Sequence, residues 1–201
     1  MERPTVNDTI WVMQILSRLS ALFYRLSGGY VTLAGLVIFL LFTSLILPGQ
    51  AKKAEVYTGS AGSPDASFFY SKADLYQMAE AYGENGRAAY IHARWSFDVI
   101  WPLVYLFFLA TSLSWTLARA VSEDSRWRLL NLFPAFGWLF DLLENSAASV
   151  VMARYPQVTP GIDSLTPILT LIKWFFVNGS FVILLPALGA ALWKWLAKRR
   201  G

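Results

Sequence analysis

Four stretches of the chain are apolar over enough consecutive residues to cross a lipid bilayer. A membrane-spanning helix needs about 20 predominantly apolar residues in a row, and all its backbone polar groups are satisfied within the helix. The four stretches are residues 30–47, 95–117, 129–153 and 168–195. The sequence therefore predicts an all-α membrane protein with four transmembrane helices in one bundle, forming a single membrane domain over residues 1–201.

The composition agrees with this class and excludes several chemistries. Hydrophobic residues make up 56% of the chain and charged residues 15%, whereas soluble domains are about 25% charged. The chain has no cysteine, which excludes disulfides, thiolate metal sites and cysteine nucleophiles. His92 is the single histidine, and its surroundings lack metal-ligand or Ser-His spacing. We therefore predict neither a metal nor a cofactor.

The N-terminal region, residues 8–27, has the periodicity of an amphipathic helix. Its charged and apolar residues fall on different faces, which is unfavourable for a span and typical of a helix lying in the membrane interface. The alternative is a plain cytoplasmic helix packed on the bundle. The apolar face carries Ile15, Leu19, Leu22 and Leu26, and the polar face carries Gln14, Ser17, Arg18 and Arg25.

The polar segment between the first two spans begins with residues 51–65, which are rich in glycine and serine and read as a loop. Ser71 and Asp74 then have the spacing of a capping box. This spacing predicts a short extracytoplasmic helix between the first and second spans. Gly83 and Gly86 interrupt that helix, and a new helix is expected to run from Arg87 directly into the second span.

The orientation follows from the distribution of basic residues. Loops with an excess of lysine and arginine stay in the cytoplasm, and the loop 154–167 carries only Arg154. We therefore predict a multi-pass protein of the cell inner membrane with cytoplasmic N- and C-termini and an extracytoplasmic segment 48–93. The net charge of +4 then reflects topology, and we predict no nucleic-acid binding. The basic residues used are Arg3, Arg18 and Arg25, then Arg119, Arg126 and Arg128, and finally Lys194, Lys198, Arg199 and Arg200.

Ionisable side chains lie inside the predicted spans, where each costs several kcal/mol unless it is paired or hydrated. Asp141, Glu144 and Asn145 stand at i, i+3 and i+4, so they share one face of the third span. Charges from the other helices should converge on them, because their distances from the span ends place all of them in the outer half of the bundle. The candidate binding residues are Arg94, Asp98, Tyr105, Asp141, Glu144, Asn145 and Lys173.

The predicted charges do not balance. Two positive and three negative side chains leave one negative charge in excess. Either one carboxyl is protonated, or a nearby base such as Arg87 completes the balance. The cluster itself has two interpretations: a polar network that fixes the register of the helices, or a water-accessible pocket that binds or transforms a ligand. In the second case Asp98 and Glu144 are the candidate acid/base residues.

Three classes of function follow from these interpretations. The first is a non-enzymatic accessory, assembly or lipid-organising subunit. The second is a membrane enzyme or binder of an apolar ligand such as a lipid, quinone or isoprenoid. The third is a small transporter subunit. The expected partners are the lipid bilayer, an apolar small molecule, and a membrane protein or a second copy of the chain.

Several motifs together resemble a group of small four-span bacterial integral membrane proteins whose activity is uncharacterised. The likeness covers roughly residues 30–190 and implies the same topology and the same polar residues, without implying a chemistry. The motifs are Tyr82-Gly83-x-x-Gly86-Arg87-x-x-Tyr90, Asp98-x-x-x-Pro102-x-x-Tyr105, and Asp141-x-x-Glu144-Asn145 followed by Tyr155-Pro156.

Overall fold

The computed structural model describes residues 6–200, without the side chains of residues 6–9, 12 and 200. Arg3 and the side chain of Arg200, two of the basic residues used for the orientation, lie outside the described part. All regular structure in the described range is helical, as predicted. The helices are α1 (Val6–Leu26), α2 (Gly29–Leu41), α3 (Leu47–Thr58), α4 (Lys72–Arg94), α5 (Phe97–Ala120), α6 (Phe133–Arg154) and α7 (Ile162–Arg200).

Three helical stretches of the described chain are long and apolar enough to cross a membrane. They are Gly29–Ala61, Lys72–Ala120 and Ile162–Arg199. The predicted third span, now α6, does not reach this threshold, because its central turns carry Asp141, Glu144 and Asn145. It also begins later than residue 129, since residues 126–132 form 3-10 turns. The number of four spans therefore stays a prediction.

The first span is longer than predicted. The helix does not stop at residue 47 but continues through α3 to Thr58, so most of the loop predicted over 51–65 is helical. A π-helical turn, Phe42–Ile46, lies immediately before Pro48, which occupies the first turn of α3. Proline lacks an N–H and its ring clashes with the carbonyl one turn earlier, and the wider π turn relieves both problems. The proline is therefore accommodated without ending the helix.

The start of α4 confirms the predicted capping box, and its end differs from the prediction. Asp74 Oδ2 accepts from the Ser71 backbone N–H at 2.7 Å, and Ser71 Oγ accepts from the Asp74 N–H at 3.2 Å. Gly83 breaks the helix as predicted, with φ 62° and ψ −178°, whereas Gly86, also predicted to interrupt it, is buried within the helix. The expected continuous helix from Arg87 into the second span is wrong, because α4 ends at Arg94 and Ser96 has non-helical backbone angles.

The cap, defined as residues 47–94, is fixed on the hairpin formed by α6 and α7. Tyr76 Oη donates to Asp163 Oδ2 at 3.3 Å and accepts from the Thr159 backbone N–H at 2.8 Å. Apolar side chains of α4 also pack on the last turns of α6. This core comprises Leu75, Met78, Ala79, Tyr82 and Tyr90 of α4 with Ala148, Val151 and Met152 of α6.

Polar contacts hold α1 at the other end of the bundle. Ser20 Oγ donates to Asn131 Oδ1 at 2.8 Å, and Asn131 Nδ2 donates to Ser114 Oγ at 3.0 Å. The predicted apolar face of α1 points away from the bundle, since Leu22 and Leu26 are exposed. An exposed apolar stripe is what an interfacial helix needs, and a position in the interface stays a prediction.

α6 approaches α7 closely at Gly137. A Cβ atom at this position would lie 2.9 Å from Val177 Cγ2, which is too close for a carbon–carbon contact. Small residues allow the backbones of membrane helices to approach closely. Gly137 therefore sets the distance at which the polar face of α6 meets α7.

We predict that Gly137→Leu lowers the free energy of unfolding by about 1–3 kcal/mol, the usual cost of overpacking a tight contact. Thermal unfolding in detergent would measure the loss. The matched control is Gly189→Leu in α7, where an added Cβ meets no atom within 4 Å. Equal losses in the two variants would contradict the assignment of a close contact at Gly137.

Candidate functional site: a buried charge cluster

Six charged side chains from distant parts of the sequence meet beneath the cap. Their ion pairs connect the turn Pro64–Ala66, the junction of α4 and α5, α6, and α7. Five of the six were predicted from the sequence, and the structure brings all five together. The cluster consists of Asp65, Arg94, Asp98, Asp141, Glu144 and Lys173.

Arg94 forms one half of the cluster. It is the last residue of α4, and its Nη2 lies 2.5 Å from Asp98 Oδ2, one turn further along in α5. Its Nη1 pairs with the carboxylate of Asp65. The guanidinium also lies over the ring of Tyr90, with 4.6 Å between Cζ and the ring centroid. Arg94 therefore joins the cap to the start of α5.

Lys173 forms the other half. Its ammonium group pairs with the Glu144 carboxylate, lies 3.5 Å from Asp141 Oδ1 and lies 3.8 Å from Asp65 Oδ1. Neutral donors also form hydrogen bonds to the carboxylate oxygens of α6. Thr170 Oγ1 donates to Glu144 Oε1 at 2.9 Å, and Tyr105 Oη donates to Asp141 Oδ2 at 3.2 Å. Tyr105, a candidate binding residue from the sequence, therefore lies beside the charges, and its binding role stays a prediction.

Most of the cluster is buried from solvent. Arg94, Asp141, Glu144 and Lys173 are each more than nine-tenths buried, and Glu144 is fully buried. The side chain of Asp65 is the most open member, with 24% of its surface exposed. Two surface grooves formed by the described residues lie elsewhere, one along α1 and one between α3 and α4, and no cluster residue lines either groove.

The charge imbalance is larger than the sequence predicted. Asp65 adds a fourth carboxylate to two bases, so the formal excess is two negative charges. Arg87, the base proposed to complete the balance, does not join the cluster. Its Nη1 donates to the Ala79 carbonyl at 2.9 Å and its guanidinium lies over Tyr155. Nor do any three His, Asp or Glu side chains in the described range have the grouping of a metal site.

Asn145 reaches the same buried region without finding a partner. It is 1% exposed, and neither its amide oxygen nor its amide nitrogen has a hydrogen-bond partner in the described structure. The phenol oxygen of Tyr90 is also buried and unpaired. Buried polar groups are nearly always hydrogen-bonded, and each exception requires an explanation. The predicted binding role of Asn145 therefore stays a prediction.

Sequence reasoning missed Asp65 and Tyr70. Asp65 follows Gly62-Ser63-Pro64, which indicates a turn and gives no local signal of a buried ion pair. Tyr70 Oη lies 2.8 Å from Thr170 Oγ1 and so extends the network that begins at Glu144. Burial raises the pKa of the Tyr70 phenol above its ordinary value, so the phenol stays neutral and adds no charge. Because the predicted cluster already had one excess negative charge, the sequence argument favoured an additional base such as Arg87 and gave no reason to expect an additional acid.

In comparisons with known proteins, no family model, no curated protein and no solved structure matches the chain. The cluster therefore has to be interpreted from its own geometry.

We predict that Lys173→Met lowers the free energy of unfolding by about 3–5 kcal/mol, because it leaves the Asp141 and Glu144 carboxylates buried without their nearest cation. Denaturation in detergent at neutral pH would measure the loss. Lys194→Met is the matched control, since Lys194 is exposed on the same helix, and it should change stability by less than about 0.5 kcal/mol.

A double variant separates the lost charge from lost packing. Lys173→Met with Glu144→Gln removes one positive and one negative charge, so the two losses should be smaller together than their sum. Strict additivity of the two substitutions would show that the pair is not coupled.

Proposed function

We propose that the protein is a non-enzymatic membrane protein, an accessory, assembly or lipid-organising subunit, whose charge cluster locks the cap onto the helix bundle. The observation that carries this proposal is the closure of the cluster. Its members pair with one another across four separate elements, and they are covered from solvent. A substrate site would instead need a cavity into which its polar groups converge.

Burying ions is a poor way to gain stability, which favours a positional role for the cluster. Each buried ion loses several kcal/mol of hydration, and its pairing often only offsets that loss. Such a network is nevertheless very sensitive to geometry, because an ion that leaves its place is buried unpaired. Lys173 and Arg94 therefore allow one arrangement of the turn Pro64–Ala66, α6 and α7 and penalise others.

The lipid bilayer is the first partner in this proposal. Large apolar side chains of α2 and α7 are exposed along much of their length, including Leu40 and Leu185. Soluble monomers rarely expose apolar patches larger than a few hundred Å². We further propose four spans in the inner membrane, cytoplasmic termini, and membership of the four-span bacterial group that the motifs resemble. The partner in assembly is another membrane protein or a second copy of the chain.

Single introduced cysteines would test the orientation, because the chain has none of its own. We expect Val56→Cys, an exposed position in the cap, to react with a membrane-impermeant maleimide on intact cells or spheroplasts. Ser122→Cys, exposed in the turn between α5 and α6, should react only after permeabilisation. The reverse pattern would contradict the proposed topology.

Native mass spectrometry of protein released from its own membrane would test the function. We expect a protein partner or a second copy to remain bound to the wild type and to be lost from Asp98→Asn and Glu144→Gln, because both substitutions weaken the lock. Glu123→Gln, an exposed acid in the turn after α5, is the control and should retain the partner. Variants that fold and keep every partner would contradict the proposal.

A second candidate function is a binder or enzyme of an apolar ligand, and the unpaired amide of Asn145 favours it. An amide buried beside two carboxylates can hold the carbonyl or hydroxyl group of a lipid, quinone or isoprenoid. Asp98 and Glu144 would then act as acid/base groups. In the same experiment, a small molecule of fixed mass, bound to wild type and lost from both variants, would replace the first proposal with this one.

A further inference from the structure

A strap, residues 59–71, closes the charge cluster on one side. Its link to the cluster is Asp65, which contacts Arg94 and Lys173. Two hydrogen bonds hold its ends: Tyr82 Oη donates to the Gly62 carbonyl at 2.5 Å, and Tyr70 Oη lies 2.8 Å from Thr170 Oγ1.

Two glycines near the start of the strap have positive φ angles. Gly59 has φ 53° and Gly62 has φ 72°, conformations that favour glycine and allow large changes of chain direction. Phe69 is 81% exposed, and Phe68 is half exposed beside Trp174. Pro64 is fully buried, and Ala61 and Tyr70 pack against the core between α4 and α6. The contacts of the strap that depend on charge are those of Asp65 with Arg94 and Lys173.

Closing the strap adds negative charge to a region that is already negative. Without Asp65, the carboxylates of Asp98, Asp141 and Glu144 exceed the two bases by one charge. With Asp65 in place the excess is two. Like charges in a poorly hydrated site disfavour ionisation of one another, so uptake of protons relieves the imbalance. The closed strap is therefore coupled to protonated carboxyl groups.

The unpaired amide of Asn145 independently supports a bound proton. Asn145 follows Glu144 directly and lies one turn after Asp141, on the same helical face. Its amide oxygen is a buried acceptor without a donor, and ionised carboxylates offer only acceptors. A protonated carboxyl that came within hydrogen-bond distance on this face would supply the missing donor.

Other groups around the cluster do not supply the charge change near neutral pH. The phenols that face it from α3, the strap, α4 and α5 titrate near pH 10 when unperturbed and stay neutral. His92 is exposed, two residues before Arg94 in α4, and is controlled by substitution below. These phenols belong to Tyr57, Tyr70, Tyr90 and Tyr105.

We propose that the cluster is a proton-binding site whose carboxyl groups hold the excess protons while the strap is closed, and that release of these protons to water opens the strap. In the opening step a carboxyl O–H bond breaks, the proton passes to a water molecule, and the added carboxylate charge repels Asp65. The inference rests on the lock proposed above and names what controls it.

Two spin labels would follow the strap in the full-length protein in lipid nanodiscs. Phe69→Cys lies in the strap and Val158→Cys in the turn between α6 and α7, and both positions are exposed. Between about pH 5 and about pH 9, a range in which perturbed carboxyls and histidine titrate, we expect a second, longer distance to grow as pH rises. Infrared difference spectra should show the protonated-carboxyl band disappearing over the same range.

Variants test the charge argument. Asp141→Asn removes one excess charge and keeps an acceptor for Tyr105, so its opening should move to higher pH. If Asp141→Asn does not fold, Asp98→Asn serves the same purpose, because it also removes one carboxylate from the cluster. Asp65→Asn should abolish the pH response of the strap. His92→Asn and Glu123→Gln are the controls and should leave the wild-type response unchanged.

A distance distribution that stays constant over the whole pH range would overturn the inference, as would opening without loss of the carboxyl band. Neither result touches the proposed lock, which the partner experiment tests separately. Conversely, a strap that responds to pH in a protein whose partner is unaffected by Asp98→Asn and Glu144→Gln would leave this inference standing and remove the proposed function.

Discussion

The ammonium group of Lys173 is the interaction on which the rest of the structure depends. It is buried in α7, and its contacts fix the carboxylates of α6 and the strap around one point. Removing an ion from water costs several kcal/mol even after the protein relaxes. Every element that supplies a counter-charge is therefore confined to positions within ion-pairing distance of this group. The depth and rotation of α6 against α7 follow from that restriction.

The helices differ in whether they expose apolar side chains or bury polar ones. α2 and α7 expose large apolar side chains along their length, whereas α6 buries most of its polar residues against its neighbours. Ionisable residues in membrane proteins almost always face the interior of the bundle or water. Neutral donors such as Thr170 and Tyr105 complete the carboxylates without adding charge. α6, a helix of modest hydropathy, therefore lies at the centre of the polar contacts between the helices.

Local patterns predicted much of this architecture. Helical class, the capping box at Ser71, the break at Gly83 and the convergence of Arg94 with Lys173 all follow from spacing and burial arguments. The position of Asp65 does not, because a turn residue reaches the cluster only through the folding of the whole cap. The continuation of the first helix past Pro48 was missed for a related reason. The π turn that accommodates this proline leaves no recognisable mark in the sequence.

The same π turn also decides which face of α3 meets α4. A residue advances an α-helix by about 100°, and a π turn contains one residue more than an α turn. Phe42–Ile46 thus rotates α3 relative to the direction that α2 would have given it. In the rotated frame Tyr57 packs against Tyr82 and Gly86 of α4. A deletion of one residue in this turn would point the same side chains away from α4, and α3 would lose its packing on α4 although every contact residue remained in the chain.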